Sequence, residues 1–175
     1  NEDRNPIILW KVLSELCNED KEFADNLIIR LIGKVSGLVL SEIEKYGLSD
    51  NFELIEYLPH NEVLEHQKSS QLLLLALNNV ESAKGIITGK IFEYLISKRP
   101  IVAIAPMDGD LAKIIQETQS GDVVDFNDTT SLAKVVKKHY SSYMSQSLEV
   151  NSENVSQFHR KQLTEKMANV IKGII

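Results

Sequence analysis

Residues 88–95, TGKIFEYL, place a lysine and a glutamate three positions apart at the predicted start of a helix. The first amides of a helix lack intrahelical partners and the helix dipole attracts anions, so N–H groups at Thr88, Gly89 and Lys90 could bind a phosphate. The Lys90 ammonium would add a full charge, and a carboxylate at Glu93 could accept two hydroxyl groups of a ribose. Spacing alone leaves an alternative, in which Lys90 and Glu93 form an exposed pair worth roughly a few tenths of a kcal/mol.

The loop before this helix, residues 78–87, is long for a strand-to-helix connection, where about 2–6 residues are usual. It follows QLLLLAL, residues 71–77, an apolar run without polar alternation that is typical of a central parallel strand. Ligands of open α/β sheets bind beyond the carboxyl ends of the strands, so the extra length predicts a binding loop. Gly85 and Gly89 permit a close approach of the backbone to a ligand.

The remaining chain alternates between strand-like and helical patterns, which predicts an α/β domain with a parallel sheet covered by helices on both faces. Asp108 and Asp110 are interpreted as caps of their helix, with contact to a bound donor or acceptor as the alternative. Because the chain begins on a helix, a first strand is expected upstream of Asn1. Strands are predicted at 26–33, 51–58, 71–77, 101–105 and 122–126, and helices at 6–17, 35–48, 60–70, 88–97, 108–118, 128–140 and 152–174.

The composition argues against several classes of function. The formal net charge is −6 and no basic block occurs, so non-specific nucleic-acid binding is not expected. No apolar run approaches the ~20 residues of a membrane span, and the single Cys17 excludes an internal disulfide or a cysteine-based zinc site. No metal site is predicted, since His66, His139 and His159 have no partner at metal-ligand spacing. His60 is interpreted as a turn histidine or as a neighbour of a nucleobase, and the cytoplasm is the expected location.

Several segments resemble the carboxy-terminal domain of a GT-B glycosyltransferase of the family-4 type. Residues 88–128 contain the family's GK-x-x-EYL-x-x-x-x-P helix, followed by an apolar strand and a glycine-containing turn. Residues 56–77 resemble its Y-x-P-H-x-E loop with a short helix and a buried strand, residues 3–16 its first helix, and residues 158–174 its closing helices. The resemblance therefore covers essentially all 175 residues.

The resemblance implies a Rossmann-like three-layer α/β domain, the carboxy-terminal half of a two-domain GT-B fold. In such enzymes the second domain binds a nucleotide-diphospho-sugar donor, here expected to be of UDP or GDP type, and the first domain mainly binds the acceptor. Residues 1–175 are accordingly interpreted as one donor-binding domain, with its first strand and the amino-terminal acceptor domain absent from the chain.

Site residues follow from the resemblance position by position. Glu93 matches the family glutamate that holds the donor ribose. The amides of Thr88, Gly89 and Lys90 match the segment that cradles the distal phosphate, and Lys90 would supply a cation to the diphosphate. Many relatives have a second glutamate where this chain has Gly85, which leaves open whether Glu81 or Lys84 replaces that sugar-binding carboxylate. The region framing the nucleobase corresponds to Tyr57, Leu58, Pro59, His60 and Val63, and the loop approaching the donor sugar corresponds to Gly85 and Ile86.

The implied chemistry is glycosyl transfer, as by a hexosyltransferase, with retention of anomeric configuration and without an essential metal or other cofactor. No catalytic residue is assigned in this domain, and the chain alone is expected to be inactive. The full-length protein is expected to act in polysaccharide or glycoconjugate biosynthesis, and association with the inner face of a membrane is left open. Two alternatives remain: half of a sugar-nucleotide epimerase, or a non-catalytic flavodoxin- or receiver-like signalling module, which the asparagines after QLLLLAL disfavour.

Overall fold

The computed structural model describes residues 5–174. Residues 1–4 and 175, which belong to the domain predicted over 1–175, lie outside the described residues. The described residues form eight α-helices and five β-strands, which alternate between an initial and a final pair of helices. The helices are α1 (Ile7–Glu19), α2 (Lys21–Asn26), α3 (Gly37–Lys45), α4 (His60–Ser69), α5 (Lys90–Ser97), α6 (Asp110–Glu117), α7 (Thr129–Met144) and α8 (Arg160–Lys172). The strands are β1 (Ile29–Ile32), β2 (Phe52–Ile55), β3 (Leu73–Ala76), β4 (Ile101–Ile104) and β5 (Gly121–Val124), and 3₁₀ turns lie at Ser49–Asn51, Glu81–Gly85 and Val155–Phe158.

All strand pairs are parallel, as predicted, but their hydrogen bonds form two sheets rather than one. One sheet has the order β1-β2 and the other the order β3-β4-β5. Side chains, rather than a hydrogen-bond ladder, connect the two sheets, because Ile29 of β1 belongs to the same hydrophobic cluster as Ile104 of β4 and Val124 of β5. The α/β class with parallel strands is therefore confirmed, and the division of the strands into two sheets is a detail that the sequence pattern did not specify.

Strand β4 is the middle strand of the three-stranded sheet and separates two hydrophobic clusters. Val102 and Ile104 point to one cluster, whereas Ile101 and Ala103 belong to the other, as expected for a strand whose side chains alternate between faces. The first cluster collects side chains from α1, α3 and α7, and the second collects side chains from α5 and α6. These helices on both faces give the expected three layers.

The prediction that QLLLLAL forms the central strand is wrong. Its strand, β3, pairs only with β4 among the described strands, and its side chains alternate between buried and partly buried positions. Every residue of β4 is buried. Both strands are continuous apolar runs, so the sequence pattern cannot rank them, and pairing decides which one lies in the middle.

Several element boundaries also differ from the predictions. Helix α2 was not predicted; Asp20 starts it by accepting hydrogen bonds from two backbone amides of its first turn. The helix predicted over 152–174 is instead a 3₁₀ turn followed by α8, and Asn154 before the turn has a left-handed backbone, with φ of 55°. The strand predicted at 122–126 is Gly121–Val124, because Gly121 pairs with Ile101 and sets the register.

None of the helices described in residues 5–174 is both long enough and apolar enough to cross a membrane.

Candidate functional site

The candidate site lies at the edge where β3 and β4 end. Because the strands are parallel and Ala76 is paired with Ile104, the segments that follow both strands leave the sheet at the same edge. Residues 77–89 lead from β3 into α5, and residues 105–109 lead from β4 into α6. This is the edge at which open α/β sheets bind ligands.

Two contacts connect these segments. Lys84 Nζ lies 2.6 Å from Asp108 Oδ2, and this ion pair lowers the pKa of the Asp108 carboxyl below its usual value. At Gly109, an added Cβ would lie 3.1 Å from the backbone oxygen of Lys84, so glycine permits a close approach of the two segments. Asp108 and Asp110 were expected to cap α6, but its N-cap residue is Gly109 and no side chain caps the helix. Asp110, the first residue of α6, instead pairs with Lys113. The capping interpretation is therefore wrong.

The start of α5 has two of the three free amides that the sequence predicted. The N–H of Lys90 donates to Thr88 Oγ1 at 3.2 Å, a local bond of the kind that threonine makes before a helix. Among the described residues, the amides of Thr88 and Gly89 have no hydrogen-bond partner. The expectation of free amides at all three positions is thus wrong for Lys90, whose amide is already bonded. The Lys90 side chain is exposed, so its charge remains accessible to a ligand.

Glu93 forms a hydrogen bond with a residue of α4 and not with Lys90 of its own helix. Its Oε2 accepts a hydrogen bond from Gln67 Nε2 at 3.2 Å. Lys90 and Glu93, which are both among the described residues, form no ion pair. The alternative interpretation, an exposed Lys90–Glu93 helix pair, is therefore not what the structure contains. Glu93 is only partly exposed, and Gln67 is 8% exposed.

Helix α5 is fixed to its neighbours on both sides of Glu93. The hydroxyl of Tyr94 donates to the backbone oxygen of Leu74 in β3 at 3.3 Å. Burial raises the pKa of the Tyr94 hydroxyl, and the charge of Glu93 raises it further. After the helix, Arg99 Nε donates to the backbone oxygen of Lys68 at the end of α4, at 2.6 Å. These bonds hold α5 against both β3 and α4, so the position of Glu93 relative to the sheet is well defined.

The segment predicted to frame a nucleobase follows β2 and enters α4. Tyr57 is 87% exposed, His60 is exposed, and Leu58 and Val63 are half-buried. Pro59 precedes α4 in an extended conformation, and its carbonyl accepts hydrogen bonds from the amides of Glu62 and Val63. Among residues 5–174, no hydrogen bond or ion pair joins residues 57–60 to residues 85–93. Contact between α4 and α5 brings the two parts of the predicted site to neighbouring elements.

The segment predicted to approach a donor sugar ends the 3₁₀ turn after β3. Ala83 is buried and accepts a hydrogen bond from the amide of Ile86, which fixes the turn. A Cβ added at Gly85 would meet no atom within 4 Å, and its φ is not in the left-handed region. Packing therefore does not require glycine at position 85, and the space beside it is open.

Comparisons with known proteins bear on the fold. No family model matches the chain, and no curated protein matches it in sequence. The chain is similar to the crystal structure of WaaG, a glycosyltransferase involved in lipopolysaccharide biosynthesis, with a TM-score of 0.65 and 18% identity over 97% of this chain and 44% of that one. It is also similar to sucrose-phosphate synthase from Thermosynechococcus elongatus, with a TM-score of 0.68 and 13% identity over 99% of this chain and 43% of that one.

The fold is that of a Rossmann-like GT-B domain. At these identities the likeness shows the fold alone, and the chain spans less than half the length of either solved structure.

Within this GT-B domain, the sequence reasoning missed Gln67 beside the site, and it named Lys84 and Asp108 only as alternatives and without their mutual contact. Gln67 contacts Glu93, while Lys84 and Asp108 join the loops after β3 and β4. One signal could have identified Gln67: it lies four positions after Val63, and residues four apart share a helix face. No local signal connects Lys84 with Asp108, because the two are 24 positions apart.

Proposed function

We propose that this chain binds the nucleotide-diphospho-sugar donor of a glycosyltransferase, with the diphosphate at the start of α5 and the ribose at Glu93. The observation that carries the proposal is the setting of Glu93. It lies in the first turn of α5, partly exposed, at the carboxyl edge of a parallel sheet in a GT-B domain, and Gln67 holds one of its oxygens. A carboxylate so placed has lone pairs left to accept the hydroxyl groups of a ribose.

The charges around the start of α5 suit a diphosphate. The unpartnered amides of Thr88 and Gly89, the helix dipole and the exposed Lys90 ammonium would all attract negative charge. During glycosyl transfer, negative charge builds on the leaving diphosphate while the sugar gains positive charge. Fixed donors that face the developing charge stabilise that transition state without reorganising.

The other predicted residues would contact the nucleobase and the sugar of the donor. Residues 57–60 and Val63 would frame the nucleobase, mainly through backbone groups, because α4 carries this segment next to α5. Gly85 and Ile86 would lie near the donor sugar, where the open space beside Gly85 leaves room for it. Lys84 is held by Asp108, so it is available near the sugar only when that ion pair opens.

The reaction of the whole protein is a further part of the proposal. We infer transfer of a hexose from a UDP or GDP donor with retention of configuration and without an essential metal, in polysaccharide or glycoconjugate biosynthesis. The acceptor would bind outside this chain, and the chain alone would be inactive. We place the protein in the cytoplasm, at or near the inner face of a membrane. The structural comparisons do not favour the signalling-module or epimerase alternatives.

The test is titration calorimetry of the purified chain with UDP and, separately, GDP. We expect one of them to bind, and Glu93→Gln to weaken binding by at least about tenfold, since hydrogen bonds to a charged group contribute roughly 1.5–3 kcal/mol. The matched control is Glu117→Gln, which changes an exposed glutamate at the end of α6 and should leave the affinity unchanged. Failure of both nucleotides to bind at millimolar concentration would contradict the donor site.

A further inference from the structure

Burial of the Gln67 side chain costs free energy that its single side-chain hydrogen bond does not offset. Its side chain is 8% exposed, and its Nε2 donates to Glu93 Oε2. An ionised carboxylate can only accept hydrogen bonds, so the amide nitrogen must be the end that faces Glu93. The other end, Oε1, is then buried without a hydrogen-bond partner among the residues that the structure describes. A buried acceptor without a donor destabilises the folded protein.

An apolar side chain of similar length would avoid this cost. Gln67 is the buried residue of α4, which contacts α5, and methionine at this position would not bury an unpaired oxygen. The stability of the folded chain therefore does not explain why residue 67 is a glutamine. Its one hydrogen bond to another side chain joins it to Glu93, the carboxylate to which the proposed function assigns the ribose.

We propose that Gln67 is a positioning residue that orients Glu93 for a nucleotide ribose; this inference rests on the proposed function. Glutamate has three rotatable side-chain bonds, and an exposed carboxylate would sample several rotamers before binding. Holding Oε2 from the buried side leaves Glu93 with one preferred orientation and keeps its remaining lone pairs for the two ribose hydroxyls. Orientation before binding lowers the entropy lost when the ligand binds.

The position of Gln67 indicates how its replacement would affect ligand binding. Gln67 Oε1 has almost no accessible surface, so the side chain supports Glu93 from within the α4–α5 contact rather than touching the ligand through that atom. Arg99 holds the end of α4 through the Lys68 carbonyl independently of Gln67. Replacing Gln67 should therefore leave the α4–α5 contact in place and release only the Glu93 side chain.

The experiment compares Gln67→Met with the unchanged chain, using as probes UDP and 2′-deoxy-UDP, or the guanosine pair if GDP is the nucleotide that binds. We expect Gln67→Met to weaken binding of the ribonucleotide by about 3- to 10-fold, the range that follows from ordering one side chain. The affinity for the deoxynucleotide should fall less, so that the chain discriminates less between ribose and deoxyribose. In a Glu93→Ala background, Gln67→Met should have no further effect. The midpoint of thermal unfolding should stay the same or rise.

Gln71→Met is the matched control, because Gln71 is an exposed glutamine just after α4. It should change neither affinity nor discrimination. Equal affinity of Gln67→Met and the unchanged chain would overturn the positioning role while leaving the proposed function intact. Equal weakening of both nucleotides, or the same loss in the Glu93→Ala background, would show a general packing effect and also overturn it. If the unchanged chain binds neither UDP nor GDP, the proposed function fails and the inference fails with it.

Discussion

At the scale of single residues, Asp122 and His139 illustrate a polar contact that serves structure. His139 is buried in α7, and its Nε2 donates to Asp122 Oδ2 of β5 at 2.8 Å. Lys138 Nζ also contacts both oxygens of Asp122, at 3.0 and 3.1 Å. The His139 hydrogen bond is the main reason that the pKa of Asp122 lies below its usual value. The pair borders a cavity of about 220 Å³ at the amino end of β5, the edge opposite the candidate site.

This contact predicts a pH-dependent contribution to stability. Because folding lowers the pKa of Asp122, its contribution is present above the unfolded pKa of about 3.9 and is lost as the pH falls through the lower folded pKa. We expect Asp122→Asn to reduce the free energy of unfolding by about 1–2 kcal/mol at pH 7. The difference from the unchanged chain should shrink as the pH is lowered below about 4, measured by urea denaturation at several pH values.

The control for this prediction is Asp25→Asn, which changes an exposed carboxylate on α2. It should alter stability by less than about 0.5 kcal/mol at any pH. A penalty for Asp122→Asn that stays constant down to pH 2.5 would mean that the ionised carboxylate is not the stabilising group.

At the scale of elements, the pairing of β4 with β5 depends on one glycine. Gly121 starts β5 and is paired with Ile101, the first residue of β4. A Cβ added at Gly121 would lie 1.9 Å from the backbone oxygen of Ile101, which is far inside van der Waals contact. The obstacle is backbone in the middle strand of the sheet, so neither partner can move without disturbing the ladder.

We therefore expect Gly121→Ala to be strongly destabilising, by about 3 kcal/mol or more, which is large for a single substitution. The measurement is the free energy of unfolding in urea, or the soluble yield if the variant does not fold. Gly37→Ala is the matched control, because Gly37 starts α3 with no atom within 4 Å of an added Cβ. Its expected effect is neutral or stabilising by up to about 1 kcal/mol. Similar stability of the two variants would show that β4 and β5 are not packed as closely as described.

At the scale of the whole molecule, the two hydrophobic clusters lie on opposite faces of β4 and should unfold together. Trp10, the only tryptophan, is 1% exposed in the cluster formed by α1, α3 and α7. Leu95 of α5 is 2% exposed in the other cluster. Since β4 contributes side chains to both clusters, loss of packing on one face removes support from the other.

Leu95→Ala tests this coupling, because it removes buried methyl groups from the cluster that does not contain Trp10. We expect a loss of about 2–5 kcal/mol, the usual range for such a truncation in a core. Trp10 fluorescence and far-ultraviolet circular dichroism should report the same shifted unfolding midpoint. The exposed Ile96 next to it provides the control, since Ile96→Ala should move neither midpoint appreciably. A Trp10 transition that stays in place while the dichroism shifts would contradict a single cooperative unit.

The sequence by itself determined the type and order of the five strands and of the helices other than α2, and it named the candidate site residues, which stay predictions. Strand and helix periodicities are local, so apolar runs such as IVAI and the helix after Gly89 were identified close to their observed bounds. The placement of Glu93 in the first turn of α5 follows from the same local pattern. The resemblance to GT-B enzymes, stated from the same segments, agrees with the fold that the structural comparisons show.

Only the tertiary structure decided which elements meet. It placed β4 rather than β3 in the middle of a sheet, divided the strands into two sheets, and brought Gln67 to Glu93 and Lys84 to Asp108. Each of these contacts joins residues 20 or more positions apart, and neither propensity nor periodicity specifies partners at that distance. The contact of α4 with α5 places the buried Gln67 beside Glu93, and this pair is the basis of the Gln67→Met experiment.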